Sequence, residues 1–113
     1  MPRILSVATA LPPHRLDQDR ARAELARLTH GHPAAERLVP LFDRSGVDTR
    51  YLVHPPDWYL EPRSFEERNR EYRDRGLELA EQAARTCLAK AGVTANDVDY
   101  LFFVTTTGLA TPS

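Results

Sequence analysis

"YLFFVTTTGLATPS", residues 100–113, is the stretch that decides the fold. Its apolar half, Tyr100 to Val104, does not alternate with polar residues, so it reads as a strand that needs cover on both faces, as in a parallel sheet. The threonines, Gly108 and Pro112 then mark the carboxyl end of that strand, where open α/β sheets place their ligand crevices.

Working outward, "LELAEQAARTCLAKAG" (77–92) carries Leu77, Ala80, Ala84, Cys87, Leu88 and Ala91 at three- and four-residue steps, the pattern of a core helix. Gly92 stands where a left-handed C-cap belongs, and "TANDV" is a short turn. Upstream, "FEERNREYRDR" (65–75) is nearly all charge around Phe65 and Tyr72. Ser64 followed by Glu67 makes a capping box, so the spacing predicts one helix from there to Gly92. This helix can cover one face of the last strand. Few apolar surfaces remain for the other face or for neighbouring strands, so the chain reads as an unfinished α/β domain whose exposed sheet invites association.

Nearer the amino terminus, "ILSVATAL" (4–11), closed by Pro12 and Pro13, reads as a buried strand. Asp17 offers an N-cap to "QDRARAELARL", where Ala21, Leu25 and Leu28 recur at helical spacing, ending near Gly31. Pro33 suits the first turn of a second helix, "AAERLVPLFDRSG", which Pro40 is expected to break or kink. "TRYLVH" (49–54) reads as a strand and "PPDWYLEPR" (55–63) as a surface crossing.

Composition bounds the function. The chain has 113 residues, 42% hydrophobic and 27% charged, which suits one small globular domain rather than a disordered tail or fibrous repeat. Fifteen Lys and Arg against sixteen Asp and Glu give a net charge of -1, which argues against nucleic acid or an acidic membrane as partner. No apolar run reaches the roughly 18 to 20 residues that span a bilayer, and the start lacks a secretory pattern, so a soluble, cytoplasmic protein is expected. A single cysteine excludes an internal disulfide and a cysteine-based zinc site.

Candidate chemistry is thin. Cys87 lies on the apolar helix face, where burial makes a thiol inert. His30 and His32 flank Gly31, but a metal needs three or four converging ligands and none is evident. The Arg/Glu run 66–75 mixes signs at helical pair spacing and reads as a solvated face. Arg37 and Arg44 flank an apolar segment and are candidate phosphate donors.

The order of three motifs, "DRSGVDTRYLV", "SFEERNREY" and "CLAKAGVTANDVDYLFFVTTTGLATPS", resembles the amino-terminal third of the type III polyketide synthases, the chalcone synthase-like enzymes. "KAGVTANDVDYLFFVTTTG" alone also fits the wider thiolase-like superfamily, including ketosynthase III. The resemblance implies an incomplete amino-terminal part of a thiolase-like α/β fold over residues 1–113, a mixed or parallel sheet with covering helices. It implies an acyltransferase of polyketide biosynthesis, homodimeric when complete. Such an enzyme condenses acyl-CoA starters with malonyl-CoA through a cysteine, a histidine and an asparagine, using coenzyme A thioesters as substrates and no resident cofactor or metal. None of those three catalytic residues matches a position here. The implied substrate-binding positions are Arg37 and Arg44 for the coenzyme A phosphates, with a third such position falling on Pro40. Thr106 and Thr107 match pocket-lining hydroxyls, for which the bland alternative is β-branched strand filling. Thr111 matches the residue that crosses the dimer interface into the partner's pocket, where chalcone synthases carry a larger methionine. Alone, the chain is expected to be inactive. The alternatives are a ketosynthase III-type enzyme and a truncated, non-catalytic homologue acting as a binding domain.

Overall fold

Asp17 Oδ1 accepts the backbone N–H of Arg20 at 2.9 Å and so caps helix α1, Gln18–Leu28, in the computed structural model of the chain, which describes residues 1–110. The helix closes with the Thr29 N–H on the Leu25 carbonyl at 2.9 Å, two residues before Gly31 turns the chain at a φ of 78°. Of the two outcomes expected at Pro40, a break or a kink, the break does not occur: helix α2, Ala35–Arg44, is continuous through the proline. The proline removes one donor, the one directed at the Glu36 carbonyl. The first-turn bonds from Arg37 and Leu38 to the Ala34 carbonyl, both 3.0 Å, still form.

Strand β2, Thr49–Leu52, falls where "TRYLVH" predicts it. Its antiparallel partner, β1, His14–Asp17, was not foreseen, and the register sets Leu16 opposite Arg50 and Asp17 opposite Thr49. Pro12 and Pro13 immediately precede β1, where their missing donors cost no ladder bond. Leu16 (5% exposed) and Ala21 (6%) form the buried centre of a compact unit spanning Pro12–Pro62. Its last turn is a 3₁₀ helix, Pro56–Leu60, in the proline-rich crossing, with the His54 and Trp58 rings stacked at 4.3 Å.

The second unit joins residues 1–11 to residues 63–110 and is built on α3, Phe65–Ala91. The capping box is formed: Ser64 Oγ accepts from the Glu67 N–H at 3.1 Å, and the Ser64 N–H donates to Glu67 Oε2 at 2.8 Å. The bond from the Ser64 backbone, then that from its hydroxyl, holds the Glu67 carboxyl below the ordinary glutamate value. At the other end Gly92 takes a φ of 70°, and the N–H of Val93 reaches back to the Leu88 carbonyl at 3.2 Å. Glu66–Arg70 and Glu71–Arg75 pair one turn apart at 3.1 and 3.7 Å, the solvated face that the mixed signs predict.

Two expected strands are absent. Residues 4–11 and 100–107 take no strand structure, because a ladder needs neighbours and the described residues supply none for either segment. Both alternating sets of the last segment stay in solvent, with Leu101 84%, Phe102 87% and Val104 88% exposed. Residues 4–11 lie instead along the carboxyl half of α3. Ser6 Oγ donates to the Cys87 carbonyl at 2.7 Å, and Lys90 Nζ reaches the Val7 carbonyl at 3.4 Å. No helix among the described residues is long and apolar enough to cross a membrane.

Candidate functional site

Arg37 and Arg44 are seven residues apart on α2. At 3.6 residues per turn they share one face, separated by about 10 Å along the axis, with Pro40 between them. Both side chains are exposed, and among the described residues neither has a hydrogen bond or ion pair. Arg44 lies in the last turn, where the helix carries its negative end and favours a cation. Two outward guanidinium groups at this spacing suit an extended polyanion such as a nucleotide's phosphates.

The carboxyl end of α2 is fixed by residues that the sequence did not flag. Gln18 donates to the Phe42 carbonyl and accepts from Arg50 Nη1, and Arg50 Nη2 reaches Ser45 Oγ at 3.2 Å. The Arg50 guanidinium carbon stands 4.2 Å over the Phe42 ring, a cation–π contact. Gln18 from α1 and Arg50 from β2 thus hold the carboxyl end of α2 at Phe42 and Ser45. The available signal was weak: an arginine inside a predicted strand.

The threonine turn belongs to the other unit. Tyr72 Oη bonds Thr105 Oγ1 at 2.6 Å, and Thr105 Oγ1 stands 3.3 Å from Thr107 Oγ1. Asn69 grips Leu109 twice, its Nδ2 donating to the carbonyl at 2.9 Å and its Oδ1 accepting the N–H at 2.8 Å. Gly108 rests on the Tyr72 ring so closely that a Cβ there would stand 2.5 Å from Cγ and 2.6 Å from Cε1. Thr106 and Thr107 are exposed on this turn. Thr111 lies outside the described residues.

The remaining candidates are accounted for locally. Cys87 is half-buried against Ser6, with Sγ 2.9 Å from Ser6 Oγ. His32 Nδ1 accepts the Ala34 N–H at 3.1 Å. Among the described residues no three His, Cys, Asp or Glu side chains gather to hold a metal.

No protein-family model matches the sequence. Individual relatives do. A chalcone synthase-like protein of Bacillus subtilis is 37% identical over 97% of this chain, and the 1,3,6,8-tetrahydroxynaphthalene synthase of Streptomyces peucetius is 39% identical over 97%. The chain spans about a third of their length, 32% and 29% respectively. The crystal structure of the Streptomyces coelicolor 1,3,6,8-tetrahydroxynaphthalene synthase, a bacterial type III polyketide synthase, superimposes with a TM-score of 0.65 at 29% identity. That match covers 78% of this chain and 25% of the synthase. In sequence over nearly its whole length, and in backbone course over most of it, the chain is similar to the amino-terminal portion of the chalcone synthase-like, type III polyketide synthases, with their thiolase-like fold.

Proposed function

We propose that this chain is the substrate-anchoring, pocket-forming part of a type III polyketide synthase that condenses an acyl-CoA starter with malonyl-CoA. The similarity to synthases across 97% of the chain carries the reading. The two units support a division of labour. The Arg37/Arg44 face of α2 binds the phosphates of coenzyme A, and the turn bearing Thr106 and Thr107 lines the acyl pocket. Thr111 completes the partner's pocket in a homodimer. The enzyme works in the cytoplasm, where coenzyme A thioesters are made. Cys87 lies on α3, half-buried against Ser6, and does not match the nucleophile position that the resemblance implies, and no residue here matches the decarboxylating histidine or asparagine. The 113-residue chain alone therefore releases no CO2 from malonyl-CoA.

The test of anchoring is Arg44→Ala in a full-length synthase carrying this sequence. Loss of a charged hydrogen bond to phosphate should raise KM for the coenzyme A thioester about tenfold and leave short thioesters without the nucleotide unaffected. Equal KM values in variant and parent would reduce Arg44 to a surface charge.

A further inference from the structure

We propose that Asn69 and Tyr72 are positioning residues for the acyl pocket: they fix the 105–109 turn on α3 and so determine the chain lengths that the pocket admits. The inference rests on the reading of the chain as part of a polyketide synthase.

The two residues are three apart on α3 and share a face in its charged half. An amide side chain offers a donor and an acceptor in one plane. Asn69 uses both on Leu109, satisfying the N–H and the C=O of a single residue as a ladder rung does. Tyr72 acts at two points, its hydroxyl on Thr105 and its ring beneath Gly108. These contacts fall at residues 105, 108 and 109. They bracket Thr106 and Thr107, leaving the two threonines little freedom to reorient. The contact between Thr105 Oγ1 and Thr107 Oγ1 continues the link from Tyr72 to a pocket hydroxyl. An exposed apolar run ending in threonines has no ladder of its own to set this geometry, so the helix supplies it. Both residues act through the turn and neither is a catalytic residue.

The test combines amide exchange in the chain with product length in a full-length synthase. Asn69→Asp keeps the acceptor for the Leu109 N–H and loses the donor to its carbonyl, whereas Asn69→Ala loses both. Leu109 should exchange about tenfold faster in Asn69→Ala, and faster than in the parent in Asn69→Asp as well, because the new carboxylate oxygen faces the Leu109 carbonyl, with helicity unchanged in both. A parental exchange rate for Leu109 in Asn69→Ala would overturn the clamp. In the synthase, Asn69→Ala and Tyr72→Phe should spread the products over more chain lengths without changing KM for coenzyme A thioesters. Product lengths that stay parental while Leu109 is freed would overturn the positioning role. A parent synthase that condenses nothing contradicts the proposed function instead, and the exchange result then decides the clamp by itself.

Discussion

Replacing Gly108 with alanine tests the packing of the threonine turn. The added Cβ would meet Tyr72 Cγ at 2.5 Å and Cε1 at 2.6 Å, against ordinary carbon contacts of about 3.5 to 4.0 Å. Cγ is the root of the ring, and the ring is tethered at its far end by the 2.6 Å bond to Thr105. Relief therefore requires the turn to withdraw by about 1 Å, which breaks one or more of the bonds to Thr105 and Leu109. Overfilling of this kind costs about 1 to 3 kcal/mol, which lowers the docked population on the order of 5- to 150-fold. Two readings by nuclear magnetic resonance follow. The residue-108 α proton should lose the upfield shift imposed by the Tyr72 ring, and the Leu109 amide should exchange faster. Gly92→Ala is the control: a left-handed φ makes it costly by about 1 to 2 kcal/mol, but no atom stands within 4 Å of its Cβ, so α3 should lose stability while the turn stays docked. Parental shifts and exchange in Gly108→Ala would refute the packing argument.

Other expectations can be measured together. Ser64→Ala removes an N-cap and should cost α3 about 1 kcal/mol, seen as lower helicity by circular dichroism. Because the Glu67 carboxyl is held below its ordinary value, the capping box contributes fully above the ordinary glutamate range. That contribution should fade as pH falls through the lowered folded value; helicity that rises on acidification would contradict this. Leu16→Ala empties a buried site between β1 and α1 and should cost about 2 to 5 kcal/mol, abolishing the thermal transition of the Pro12–Pro62 unit. The exposed Leu101, Phe102 and Val104 should make the isolated chain associate with rising concentration in sedimentation runs, and a concentration-independent monomer would show that this surface is inert.

What the sequence revealed follows the range of the interactions. Asp17, the Ser64–Glu67 box and Gly92 act over three or four residues, and each does what its type predicts. β1 escaped notice because "HRLD" becomes a strand only through its pairing with β2, and because Pro12 and Pro13 read as the end of one strand rather than the approach to another. Residues 4–11 and 100–107 have strand character in composition, yet the described residues offer no ladder to realise it. Arg37 and Arg44 were visible as an i, i+7 pair, whereas Gln18 and Arg50, which orient that end of α2, act across the sheet unit. Asn69 was hidden in a charged run because its partner lies 40 residues away. An uncharged amide one turn before a tyrosine, inside a segment otherwise devoted to ion pairs, was the available sign.

The central claim is that this sequence supplies the amino-terminal portion of a polyketide-forming enzyme. Its most direct test replaces the corresponding portion of the Streptomyces coelicolor synthase with residues 1–113 and follows malonyl-CoA by mass spectrometry with a series of acyl-CoA starters. The account predicts polyketide products with matching release of CO2, and none from the 113-residue chain alone. A fusion that folds and dimerises as the parent synthase does, binds coenzyme A, and yields neither CO2 nor product would contradict it.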